Sequence, residues 1–143
     1  MSTKVRKPAR RALTPTDYRR LAEFRYVLRH FLIFSEDAAV DAGLSAQQHQ
    51  VLLAIKGAKT AVTAGLLAER LGIRHHSAVG LLDRLAEKKL VRRQRNSEDR
   101  RQVLILLTKK AERLLARLSA AHQHELRRVA PLLRGLLSQL ARR

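Results

Sequence analysis

Every aromatic side chain of this sequence lies between Tyr18 and Phe34 (Tyr18, Phe24, Tyr26, Phe31 and Phe34), and there is no tryptophan. The rest of any interior must therefore be assembled from Leu, Ala, Val and Ile. Such side chains suit the packing of short helices better than a large sheet sandwich. At 143 residues and 45% hydrophobic content, the chain has material for one globular domain, or one domain and an oligomerisation arm. The absence of cysteine excludes disulfides, thiolate metal sites and thiol redox chemistry. The longest apolar runs, such as Val103 to Leu107, are five residues, against the ~20 of a membrane helix. The N-terminus is basic but lacks an apolar signal core, so a soluble cytoplasmic protein with no membrane partner is expected.

Thirty Lys and Arg stand against twelve Asp and Glu, a formal charge of +18. Self-repulsion of that size destabilises a compact chain unless a polyanion offsets it. Nucleic acid is the leading partner, and an anionic membrane surface the runner-up. Residues 1–12 contain Lys4, Arg6, Lys7, Arg10 and Arg11 with no acid, and read as a basic flexible arm.

From Asp17 to about Asp41 an amphipathic stripe recurs at steps of three and four: Leu21, Phe24, Leu28, Phe31, Leu32, Ser35 and Ala38. Gly43 is its expected stop. Ser45 and Gln48 form a capping box for a second helix, buried through Leu52, Leu53 and Ile55 and ended by Gly57. Ala61-Val62 is extended, Thr63 caps a helix over 64–71, and Gly72 stops it. A fourth helix over 75–88 follows after a short turn. Two short helices joined this way are a helix-turn-helix signal. Val91 to Arg95, a turn at Asn96-Ser97-Glu98-Asp99, and Gln102 to Leu107 read as a β-hairpin wing, with Val103, Ile105 and Leu107 on one face. Thr108 caps a long helix to Val129, which Pro131 is expected to break or restart. Leu132, Leu133, Leu136, Leu137 and Leu140 form a last apolar stripe.

On a helical wheel of residues 75–89, Ala78, Leu81, Leu82 and Leu85 face inward, while His76, Ser77, Gly80, Asp83 and Arg84 face outward. Arg74, His75 and His76 stand at a helix N-terminus, where the dipole favours anions. That violation of a local rule makes sense if a phosphate arrives from outside. In the hairpin, Arg92, Arg93, Arg95, Arg100 and Arg101 are five arginines within ten residues. Charge on an exposed hairpin discourages edge-to-edge pairing. Five planar guanidiniums together are better explained by phosphate and minor-groove contacts.

The run from Leu71 to Thr108 closely resembles the MarR (multiple-antibiotic-resistance regulator) family of winged-helix repressors. Its strongest motif is Asp99-Arg100-Arg101 with Leu107-Thr108 opening a helix beyond it. Asp83-Arg84-Leu85 followed by Leu90-Val91 matches the family's exit from its recognition helix. The resemblance implies that Asp99 orients Arg101 and that Arg101 enters the minor groove. It also implies a small aromatic or anionic effector lodged between dimer helices and winged domain, and no cofactor. Three positions depart from the pattern. Lys89 replaces a usual Gly, so the turn there is expected to be built differently. Ala111 replaces a Gly that a helix does not need. Gly80 stands where a polar or basic reader is common.

The expectation is a mainly α fold with a small β-hairpin wing: a winged helix-turn-helix core flanked by N- and C-terminal dimerisation helices. Its parts are the arm 1–12, an N-terminal dimerisation helix 13–43, the DNA-binding domain 44–107 and C-terminal dimerisation helices 108–143. Neither terminal helix is expected to hide its stripe against so small a core. Leu21, Phe24, Leu28, Phe31, Leu118, Leu126, Leu132, Leu133, Leu136, Leu137 and Leu140 are therefore assigned to a homodimer seam. Arg74, His75, His76, Ser77, Gly80 and Arg84 would read the major groove of a palindromic operator in double-stranded DNA. Arg92, Arg93, Arg95, Asp99, Arg100 and Arg101 would serve the wing. The function expected is a dimeric, nucleoid-associated transcriptional regulator, a repressor released by a small ligand. The alternative is a nucleoid-type structural protein that coats DNA through charge. An RNA-binding module is disfavoured, because no aromatic lies in the basic regions to stack on bases. The six histidines (His30, His49, His75, His76, His122 and His124) lack accompanying carboxylates and metal-ligand spacing. Nothing places Ser, His and Asp as a catalytic triad.

Overall fold

The computed structural model describes residues 11–142, so most of the expected basic arm lies outside the described residues. The elements run α1 (Pro15–Asp41), α2 (Ala46–Gly57), α3 (Ala64–Leu71), α4 (His75–Glu87), β1 (Val91–Arg95), β2 (Val103–Leu107) and α5 (Lys109–Ala141). Four of these helices start on a hydroxyl: Thr14, Ser45, Thr63 and Thr108 each accept a bond from the third helical N–H. At α1 and α2 the partner side chains, Asp17 and Gln48, accept the cap residue's own N–H in return. The Thr14 box starts α1 two residues before the Asp17 that hydrophobic spacing marks.

Gly43 (φ 80°) and Gly72 (φ 65°) turn the chain left-handed after α1 and α3. The end of α4 takes the same turn without a glycine, since Lys89 has φ 59°. This corrects the expectation of a differently built turn. The Leu90 N–H reaches the Leu85 carbonyl at 2.9 Å, and the Lys89 N–H the Ala86 carbonyl at 2.9 Å. Thr108 Oγ1 donates to the Lys89 carbonyl at 2.8 Å, so the start of α5 grips the turn from outside. Surroundings that over-determine a backbone in this way can hold a conformation that costs a non-glycine residue roughly 1 kcal/mol.

The main core joins α2, α3, α4, the base of the wing and the first turns of α5, with Leu52, Leu67, Leu82 and Leu85 essentially sealed from water. Ala78, Leu81, Leu82 and Leu85 line the inner side of α4 as the wheel predicts. Leu53 does not join them. It is 50% exposed, because Gln48, His49, Val51, Leu52 and Ile55 are the buried positions of α2. The strands pair antiparallel with Arg93 opposite Ile105. Ile105 is the buried member of its face, whereas Val103 is exposed. The Ile105 N–H also bonds the Val62 carbonyl at 2.8 Å, fastening the wing to the α2–α3 connector.

Pro131 does not break the last helix, which continues unbroken through it. A second cluster spans the proline: Val129 and Leu136 of α5 are buried with Val27 of α1, and Phe24 and Leu133 pack around them. The carbonyl freed by proline belongs to Arg127, whose exposed position lets water serve it. The two long helices thus pack on each other within one chain. Leu118 and Leu136, expected at a dimer seam, are buried by the chain itself, and Phe24, Phe31, Leu133 and Leu140 are half-buried. Leu21, Leu28, Leu126, Leu132 and Leu137 stay exposed, joined by Leu32 and Ile33.

Candidate nucleic-acid interface

Of the five helices among the described residues, α4 alone begins without a side-chain cap: its N-cap, Arg74, makes no side-chain capping bond, and its first turn holds no acid. Its N-terminal amides are therefore open to an outside acceptor. Arg74, His75, His76 and Ser77 are all exposed around that end. Farther along the same side, a methyl group added at Gly80 would sit 3.8 Å from Arg84 Nη2. The Arg84 guanidinium thus folds back over the glycine and lies above its bare backbone.

The wing residues separate into engaged and free cations. Arg93 Nη2 donates to Asp83 Oδ1 at 2.6 Å, tying β1 to α4. The sequence reading set Asp83 on the outer face and Arg93 on the wing without joining them. Arg92 donates to Gln94 Oε1 at 3.2 Å. At the tip, Asp99 Oδ1 accepts the Arg101 backbone N–H at 3.1 Å and Arg101 Nε at 3.4 Å. The Arg101 side chain is 94% exposed, so it projects into solvent from a fixed root. Asn96 and Gln102 close the tip through Asn96 N–H to the Gln102 carbonyl at 3.0 Å and a side-chain amide bond at 3.0 Å. Arg95 and Arg100 are exposed.

A groove of about 500 Å³ runs between these elements, lined by His75 and Val79 of α4, Arg93, Arg101 and Gln102 of the wing, and Thr63, Ala64 and Gly65. The last three, at the start of α3, were missed in the sequence reading. Their small side chains at the mouth of a helix-turn-helix were the available signal. Two guanidiniums line the groove, Arg93 and Arg101, while their carboxylate partners Asp83 and Asp99 lie outside its lining. Its chemistry suits an anion approached along a backbone.

The histidines divide. His75 and His76 belong to this face, while His49 and His122 meet in the interior with ring centroids 4.9 Å apart. His122 Nδ1 donates to the Leu118 carbonyl at 2.6 Å, which leaves Nε2 to pair with Ser35 Oγ at 2.6 Å. Phe31 and Phe34 present edges to the same ring. Burial, and secondarily the neighbouring His122, hold the His49 pKa below the ordinary histidine value. Among the described residues there is no group of three metal-ligating side chains.

A helix-turn-helix whose second helix is open and cationic at its start, with an arginine-tipped hairpin beside it, defines the class: a winged helix-turn-helix protein. Residues 42–102 match the MarR family. That match spans α2 to the wing tip, where the chain is similar to MarR-family winged helix-turn-helix transcription regulators, and the similarity supports a DNA-binding regulator as its coarse function. No curated protein matches it. Among solved structures, it is similar to CouR from Rhodococcus jostii RHA1 bound to p-coumaroyl-CoA, at 27% identity and TM-score 0.65, over 82% of this chain and 88% of that one. A MepR mutant from S. aureus bound to an oligodeoxyribonucleotide shares the fold at 20% identity and TM-score 0.66, over 92% and 87%. AbsC of Streptomyces coelicolor, a MarR family transcriptional regulator, does so at 21% and 0.67, over 82% and 80%.

Proposed function

We propose that the protein is a homodimeric, sequence-specific regulator acting in the cytoplasm on the nucleoid, a repressor released from a palindromic operator by a small aromatic or anionic ligand. The observation that carries this reading is the pairing of an uncapped, cationic α4 N-terminus with an Arg101 rooted on Asp99. Arg74, His75, His76, Ser77 and Arg84 of each subunit would enter successive major grooves about one turn (~34 Å) apart. Arg101, with Arg95 and Arg100, would take the flanking minor grooves, and Arg92 and Arg93 the backbone beside them. Exposed Leu21, Leu28, Leu126, Leu132 and Leu137 would form the subunit seam. The DNA in the MepR structure and the acyl-CoA in the CouR structure support the two ligand classes by analogy.

The test is a selection of bound fragments from genomic DNA, followed by salt titration on the winning duplex and on a scrambled one. An inverted repeat with about ten-base-pair half-site spacing, and a preference of at least ~10³ over the scramble, is the expected result. Equal affinity for both, falling steeply with salt, would instead identify a coating protein.

A further inference from the structure

We propose that Lys88 is a positioning residue for DNA recognition, aiming α4 by tying its end to the turn between α1 and α2; this rests on reading α4 as the DNA-entering helix. Lys88 Nζ donates to the Gly43 carbonyl at 2.6 Å and to Gln48 Oε1 at 3.0 Å. Both acceptors have structural meaning. Gly43 follows the last turn of α1, which has no basic residue of its own. The ammonium thus supplies, from another element, the cation that a helix C-terminus favours. Gln48 is buried, and the same Oε1 accepts the Ser45 N–H of the α2 cap. One oxygen atom therefore joins the beginning of α2 to the end of α4.

No carboxylate among the described residues forms an ion pair with Lys88. Neutral oxygens hold the ammonium, so the contact depends on direction and distance more than on attraction between opposite charges. Its own carbonyl accepts Lys110 Nζ of α5 at 3.0 Å. Immediately after it stands Lys89, left-handed and gripped by Thr108. The end of α4 is thus stitched to the α1–α2 turn on one side and to α5 on the other.

The inner side of α4 is otherwise held by Ala78, Leu81, Leu82 and Leu85, and apolar contact is non-directional. A helix of this length spans about 20 Å, so a tilt of about 5° at its end moves its start by about 2 Å. That is enough to misplace hydrogen bonds to bases, whose tolerance is a few tenths of an ångström.

The test uses the full chain, whose lack of cysteine lets spin labels be attached at introduced sites alone. With labels at Asp37→Cys on α1 and His76→Cys on α4, diluted in unlabelled chain, electron–electron distance measurements compare wild type, Lys88→Met and Lys88→Arg. In parallel, unlabelled variants are titrated against the duplex selected by wild type and a scrambled duplex. The expectation for Lys88→Met is a broadened or shifted distance and at least a tenfold loss on the selected duplex. Affinity for the scramble should stay within twofold, and Lys88→Arg should restore both readouts. An unchanged distance, or equal losses on both duplexes, overturns the proposal and leaves Lys88 an ordinary phosphate contact. Should Lys88→Met not fold, Lys88→Gln takes its place under the same criteria. If no duplex is preferred by wild type, the DNA-reading assignment fails, and with it the positioning role, while the distance arm still reports whether Lys88 orients α4.

Discussion

Arg101 and Asp99 illustrate how a short side chain prepares a long one. By accepting both the backbone N–H and Nε of Arg101, Asp99 removes part of the rotamer freedom that binding would otherwise have to remove. Replacing Arg101 with Ala should weaken binding to the selected duplex about tenfold and flatten preference at its flanking A·T steps. Asp99→Ala should reproduce most of that loss; tighter binding would mean that Asp99 acts only as a repulsive charge toward phosphate. Both changes are read by fluorescence anisotropy at fixed salt. The motif was legible in sequence because its two partners are neighbours in the chain. The Asp83–Arg93 and His49–His122 pairs were not, because folding alone brings them together. His49 carries a pH consequence. Its folded pKa is lowered, so the folded state resists a proton that the unfolded chain accepts below about 6.5. Stability should be level above neutrality and decline as pH falls through 6.5, with a slope of at most about 1.4 kcal/mol per pH unit from this group. Urea midpoints between pH 7.5 and 5.5 measure it. His49→Gln should remove most of the slope, and an undiminished slope would locate the acid sensitivity elsewhere.

Elements announced by local chemistry were readable, and those decided by packing were not. The bounds of α3 follow from Thr63 and Gly72, and the two strands flank a turn of Asn, Ser, Glu and Asp that marks the hairpin. Pro131 misled because a proline's local cost says nothing of what lies on either side. Val129 and Leu136 are both anchored on α1, and they carry the helix across the missing bond. Leu53 misled in the opposite direction, being apolar but on the face that α2 turns to solvent. Lys89 is the clearest conflict between local preference and fold. Lys89→Gly should relieve the left-handed strain and raise the unfolding free energy by up to about 1 kcal/mol, seen as a higher urea midpoint with unchanged slope. A fall would show that the lysine side chain contributes more than its backbone costs.

For the whole molecule, the decisive question is what covers the apolar side chains that α1 and α5 leave outside. Leu28 and Leu132 are both more than two-fifths exposed and take no part in the chain's own clusters. Leu28→Glu with Leu132→Glu should leave the helical circular dichroism intact, shift sedimentation to one chain's mass and abolish preference for the selected duplex. A double variant that remained a dimer would place the seam on another surface. The uninterrupted α5 gives this arrangement a mechanical property. Its 33 residues form a rod about 50 Å long, whose foot, Thr108, is fastened to the backbone at Lys89 and Leu90. Swinging the far tip of such a beam by about 4 Å rotates its base by only some 5°, so in the proposed dimer a coarse movement at the seam would arrive beside α4 as fine adjustment.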